Sequence, residues 1–493
     1  MNANMKSPEV RKDPGRPRWF SMAVTGWPRV LLIFVVAVIM VSSSAHGLTI
    51  GEERKVGEKL LYMVRKQFRL FDDPDIAQYL NRLGAEILEV AGPSYYRYHF
   101  FLIKEKEFNA FAAPSGLVFL FSGLVETMGS EDELVSVMAH EVGHVISRHL
   151  ASRLEKNRKI GIGTMALALG SLAVGNPALS QGLLAGSLAA GQTLSLRFSR
   201  LDEEEADRLS FSWMRAMHRN PRAMEGMLRT MRRVVRYRMG GEVPPYLLTH
   251  PEPEARLFYV QSLLDLDDKQ HEPGYYRVTD DFDFLRMKYR LLAEIKDAPE
   301  LRKYYAALLS SPNGDDLHRS MARYGQALMY AGELRAQRAV QLLEQVRAEL
   351  PGHGILLADE GRILLQSGDT DRALDLLSRA RQQDGTDLYT AFHLARALVK
   401  KNRLARAEEL YLEVAAGMPR YSRVYFELGR VRSSLGRTAA GHLALAQYHL
   451  YEGRMEQAKR FLERVMDDHA APAAVTAKAE EIMEKIRELE KEG

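Results

Sequence analysis

His140-Glu141-Val142-Gly143-His144 stands inside a run from Glu131 to Arg153 whose apolar residues, among them Leu134, Val135, Val137 and Met138, predict a buried helix. Residues four apart on an α-helix are offset by about 40°, so both imidazoles leave one face and can converge on one ion. Glu141, one position on, reaches a water beside that ion without ligating the ion. There it can take the water's proton and return it to a leaving amine. An unpartnered His-Glu-His set in so apolar a helix would be costly. The run therefore reads as the core of a metal-dependent hydrolase.

A catalytic zinc site needs a third protein ligand and an open fourth position. The chain has no cysteine, so that ligand is His, Asp or Glu. The extended motif with Gly at 147 and His at 150 is absent, since those positions hold Ser147 and Leu150. His149 points away if the helix runs on to Arg153. The obvious source is Asp202-Glu203-Glu204-Glu205-Ala206-Asp207, at the start of a helix expected over 201–217. Glu203 and Asp207 share a face, one placed to ligate and the other to orient a histidine through its second nitrogen. Spacing alone does not choose among Glu203, Glu204 and Glu205. Acids at a helix start are also favoured by the helix dipole; the His pair gives these a second meaning.

The 493 residues are 46% hydrophobic and 27% charged, the composition of ordinary globular protein. Residues 1–29 hold six Lys/Arg against Glu9 and Asp13, which leaves 62 basic and 62 acidic residues beyond them. A neutral body gives no support to a nucleic-acid surface. The basic start leads into the apolar run Val30–Val41 and then Ser43-x-Ala45. Twelve apolar residues fall short of the ~20 that span a bilayer. The pattern is that of a secretory signal peptide cleaved after Ala45, with an uncleaved anchor as the alternative. The apolar stretch 160–175, with four glycines, is read as packing beside the site, a membrane contact being the alternative.

Short apolar runs at Phe100–Ile103 and Val118–Phe121 read as strands, and the Pro, Ser and Gly near the end of 109–116 as a turn between them. Beyond residue 266 the composition turns Ala/Leu/Arg-rich. Ala339, Ala373 and Ala407 are spaced by 34 residues, the period of a tetratricopeptide helix pair. A further unit centres on Ala458, 51 residues on, so the array shifts by half a repeat near Gly441. The division expected is a leader over 1–45, a peptidase domain over 46–265, a linker with entry helices over 266–316 and repeats with a capping helix over 317–493.

Residues 52–260 resemble the HtpX/BepA class of zinc metallopeptidases. Ser199-Arg200-Leu201-Asp202-Glu203-Glu204-Glu205-Ala206-Asp207 matches the class pattern Ser-Arg-x-x-Glu-x-x-x-Asp, and Asn109–Gly116 resembles its Asn-Ala-Phe-Ala-x-Pro-Gly-Gly, with Ser115 for the first Gly. Thr249-His250-Pro251 with Arg256 matches a further element of BepA-like periplasmic members. The resemblance implies an α+β zincin-like domain, mainly helical with a small sheet, followed by an all-α tetratricopeptide solenoid. It implies one Zn²⁺ per chain on His140, His144 and Glu203, with Glu141 as general base and Asp207 orienting a ligand histidine. His250 would lie near the metal, as a fourth ligand in a latent state or as a stabiliser of the tetrahedral intermediate. Asn109–Gly116 would lead into an edge strand able to pair with a substrate. The class implies a periplasmic endopeptidase acting on unfolded or misassembled envelope proteins, its repeats meeting substrate or the outer-membrane assembly machinery. The rival readings are a chaperone or assembly scaffold with a latent site, and a membrane-anchored peptidase.

Overall fold

A computed structural model describes residues 49–156, 197–237, 245–272, 274–311 and 315–491. The leader read over 1–45 and the apolar stretch 160–175 lie outside the described residues. The described chain is mostly helical with one three-stranded sheet, and it ends in a succession of antiparallel helix pairs.

Strand β1 (His99–Ile103) runs parallel to β3 (Leu117–Phe121), and β2 (Ala110–Ala113) runs antiparallel to β3, which is therefore central. This corrects the expectation for 109–116. The turn shrinks to Pro114–Gly116, where Ser115 and Gly116 take φ of 69° and 81°, and the motif itself supplies the edge strand. Three alanines in four residues carry little strand preference; β2 is a strand because β3 pairs with it. Helix Ile50–Gln67 packs Val56, Leu60 and Val64 against Leu117, Phe119 and Phe121. A Cβ on its Gly57 would lie 1.9 Å from Ser115 Oγ, so glycine is what lets the helix rest on the turn. The opposite sheet face, with Phe100, Val118 and Leu120, joins the main core.

The helix expected to run to Arg153 is two helices, Glu131–Ile146 and His149–Lys156, broken where Arg148 adopts φ of 53°. That break turns His149 back toward the site.

The repeats follow as Asp316–Gly332 with Ala336–Glu349, Ile355–Ser367 with Thr370–Gln383, Leu388–Lys400 with Leu404–Gly417, and Ser422–Ser434 with Thr438–Tyr451. Ala339, Ala373 and Ala407 are fully buried on the second helices. Gly441 stands at the next 34-residue position, and its helix packs extensively on both Ser422–Ser434 and Met455–Met466. Ala458, 17 residues on, is buried in the latter. One helix shared by two pairs is the physical form of the half-repeat shift.

Helix Phe282–Ile295, within the stretch read as linker and entry helices, is largely buried and joins the two halves. Arg286 donates twice to Asp359 of the repeats (2.7 and 2.9 Å) and once to Asp75 at the start of helix Pro74–Ala91 (2.6 Å). Tyr324 and Tyr389 also donate to Asp359, at 3.1 and 2.8 Å.

Candidate metal centre

The His-pair helix Glu131–Ile146 starts at Ser130, whose hydroxyl accepts from the Glu133 amide, and nearly its whole length is buried. The acid helix Arg200–Ala216 starts with a capping box between Ser199 and Asp202. Those two motif residues thus secure the helix end. The helices meet at Gly143, where a Cβ would lie 3.3 Å from Ala206 Cα. The close approach presents Glu203 and Asp207, one turn apart, to the histidines.

Four residues converge: His140, His144, Glu203 and His250 offer ligand atoms that all lie within 4.8 Å of one another, and all four are buried. His140 Nε2 is 3.1 Å from His144 Nε2 and 3.4 Å from His250 Nδ1. Glu203 Oε1 is 3.4 Å from His144 Nε2 and 3.0 Å from His250 Nδ1. Ligands ~2.0–2.1 Å from a tetrahedral zinc ion stand about 3.3–3.4 Å apart, so the donor set fits such an ion, with His250 at the fourth corner. Both oxygens of Glu141 are buried without a hydrogen-bond partner, and His250 Nε2 likewise, 3.6 Å from Glu141 Oε1. Orphaned polar atoms of this kind fit a site built for further occupants.

Around the cluster a second layer fixes the rings. Asp207 Oδ1 lies 3.0 Å from His140 Nδ1, which puts the ring proton on Nδ1 and leaves Nε2 as an acceptor. Arg256 donates to both oxygens of Asp207 (2.9 and 2.7 Å) and pairs with Glu203 Oε2 at 2.9 Å. Burial would raise both carboxyls; His250 and Arg256 hold Glu203 well below the usual range, and Arg256 with His140 holds Asp207 below it. Burial pushes His144 well below its ordinary value, so it is a neutral imidazole, the form that ligates. Phe198 stacks on His144 and Tyr246 on His250, with ring centroids 3.9 and 4.3 Å apart. The Phe198 amide donates to the Thr249 carbonyl at 2.8 Å, tying the His250 loop to the start of the acid helix.

Sequence reasoning set His149 aside and gave Arg256 no role. With the helix broken, His149 Nδ1 lies 2.9 Å from His144 Nδ1, and its Nε2 lies 3.3 Å from Glu205 Oε2. If His144 turns Nε2 to the cluster, its Nδ1–H donates to His149, whose Nε2–H donates toward Glu205. Arg256 stood in the sequence only as the last residue of the Thr249-His250-Pro251 element; its pairing with Glu203 and Asp207, some fifty residues earlier, comes from the fold.

Residues 74–263 match peptidase family M48, and two overlapping stretches, 328–391 and 364–428, match the tetratricopeptide repeat. The chain carries a peptidase family M48 domain followed by tetratricopeptide repeats. Over 454 residues it is 28% identical to the beta-barrel assembly-enhancing protease of Escherichia coli K12, covering 92% of this chain and 91% of that one. It is 30% identical to a putative beta-barrel assembly-enhancing protease of Vibrio cholerae over 63% of each chain. The mitochondrial metalloendopeptidase OMA1 of Schizosaccharomyces pombe is 30% identical over 38% of this chain and 52% of its own. That last match is as long as the M48 domain alone, whereas the first runs on through the repeats.

Proposed function

We propose that the protein is an exported zinc endopeptidase of the envelope, acting on misassembled outer-membrane proteins, with its repeats as the surface that meets substrate or assembly partners. The observation that carries the chemistry is Glu141, fully buried with both oxygens unpartnered beside the convergent histidines and Glu203. Held by His140, His144 and Glu203, a zinc ion would polarise the scissile carbonyl and acidify the attacking water. Glu141 takes the proton from that water and passes it to the leaving amine. Asp207, itself held by Arg256, keeps the His140 ring in the ligating orientation. The β2 edge runs beside the His-pair helix. Asn109 C=O accepts from Phe121 N–H, so by alternation the amide groups of Ala110 and Ala112 point away from β3, free to pair with an extended substrate.

His250 Nδ1, 3.0 Å from Glu203 and 3.4 Å from His140, favours the latent reading of that residue. So placed, His250 would take the ligand position that a substrate needs, and the segment 245–250, which includes the short helix Pro245–Thr249, would have to move for turnover. The names of the E. coli and V. cholerae relatives support the assembly context. No helix among the described residues is long and apolar enough to cross a membrane, and export to the periplasm rests on the leader pattern. Equilibrium dialysis of the protein from residue 46 onward tests the metal assignment. One zinc per chain is expected, with loss of binding in His140→Ala and Glu203→Gln; full binding in both variants would reject these ligands.

A further inference from the structure

A cavity of about 920 Å³ lies away from the metal cluster. It opens between the outer edge of β1 and the last repeats, a volume suited to a ligand rather than to a few waters. Phe100 and Phe101 line it from the sheet, Phe426 and Tyr448 from helices Ser422–Ser434 and Thr438–Tyr451. Its charge is unbalanced. Arg65, Arg69, Arg420, Arg423 and Arg454 line it against Asp72 and Glu452 alone. The Ser422 hydroxyl lies 2.6 Å from an oxygen of each acid, with one proton to donate to either, and Glu452 also pairs with Arg454 at 2.9 Å. Asp72 and Glu452 lie near enough to act on Arg65, and Asp72 on Arg423, but two carboxylates face five guanidinium groups. Arg65 spends its terminal nitrogens on the main-chain carbonyls of Tyr451 and Arg420, and its buried Nε has no partner. The wall records this field: burial and the arginines 420, 97 and 65 push His99 down to about 4.

We propose that this cavity binds an acidic, aromatic-bearing segment of an extended polypeptide, its carboxylate held by Arg420 and Arg423 and its ring against the aromatic walls. Arginine pairs with carboxylates through short charge-assisted bonds, and aromatic walls favour a ring. The outward groups of β1 are partly taken, Phe71 N–H donating to Leu102 C=O and Phe100 N–H to Asn81 Oδ1, so side chains would do the holding; a polypeptide fits better than a lipid phosphate because the cavity lies one sheet-width from β2, which flanks the metal cluster. Phe101, Phe119 and Phe111 stack across the three strands at 5.2 and 4.8 Å. The two edges are thus about 10 Å apart, within reach of a few extended residues. The cavity would hold a substrate by a segment remote from the bond to be cut. In that sense the inference rests on the peptidase reading, but its test does not.

The test is fluorescence anisotropy with zinc-free Glu141→Gln protein from residue 46 onward, which binds without cleaving. The probes are a labelled peptide alternating Phe and Glu with Gly and Ser, and its Lys-for-Glu counterpart. The acidic peptide is expected to bind, the Lys peptide at least tenfold more weakly. Arg420→Gln/Arg423→Gln should weaken the acidic peptide roughly tenfold or more, with an unchanged unfolding midpoint showing that the variant is folded; the single changes should each give an intermediate loss. Equal binding of the two peptides, no binding of either, or binding indifferent to the arginines would overturn the proposal. So would anionic phospholipid vesicles binding, with the same arginine dependence, where the acidic peptide does not. Peptide binding in a protein that never cleaves casein would sink the peptidase reading alone.

Discussion

Replacing Asp359 by Asn tests how the repeats are fastened to the peptidase domain. Asp359 is fully buried, accepts two bonds from Arg286 and one each from Tyr324 and Tyr389, and shares Arg286 with Asp75. Burial alone would raise its carboxyl, yet Arg286 and Arg290 bring it from 3.8 down to about 2. At ~1.4 kcal/mol per pH unit, the difference corresponds to roughly 2–3 kcal/mol of stability. The native value is depressed, so this contribution is fully present above about pH 4 and is lost as pH falls toward 2, about half of it by pH 3. Asn keeps the shape but leaves Arg286 with one carboxylate. In urea unfolding at pH 7, followed by circular dichroism, Asp359→Asn should therefore cost about 2–3 kcal/mol, with a larger loss if Arg286 stays uncompensated. The gap between the two proteins should narrow between pH 4 and pH 3. A variant within 0.5 kcal/mol of wild type at pH 7, or a gap that does not move with acid, would refute the argument that this ion pair locks the junction.

Arg256→Leu leaves Asp207 and Glu203 buried and charged without their cation, and the metal-free protein should lose about 3–5 kcal/mol in urea; Arg256→Lys should fall between, and a neutral Leu variant would contradict the pairing. His149→Ala should weaken zinc binding roughly 10–100-fold in competition with a chromophoric chelator. His149→Asn, whose carbonyl can accept from His144 Nδ1–H, should recover much of that loss. His250→Ala should keep one zinc per chain and cleave casein severalfold faster; slower cleavage would mean that His250 serves the reacting state and does not latch the resting one.

Much of the centre was legible in the sequence because helices make it so. His140 and His144, like Glu203 and Asp207, are four apart, and four-residue spacing fixes a shared face before any tertiary contact is known. The repeat period was equally visible, since Ala339, Ala373 and Ala407 mark close helix approach at a constant interval. What escaped depends on contacts between distant segments. Ala110–Ala113 is a strand only because Leu117–Leu120 lies opposite. His149 faces His144 only because Arg148 takes a left-handed turn, and no local pattern announces that break. Arg256 acquires its role from acids some fifty residues earlier in the chain. The cavity at the junction is defined by residues more than three hundred positions apart, and no motif reports it.

The central claim is that Glu141 works beside a metal to cut peptide bonds, and cleavage of unfolded casein tests it most directly. Protein from residue 46 onward, loaded with zinc, would be compared with the same protein in excess chelator and with Glu141→Gln at equal zinc content. The account predicts cleavage by the loaded protein alone, restored after chelation by adding zinc back. Cleavage that persists undiminished in Glu141→Gln, with zinc bound, would contradict it.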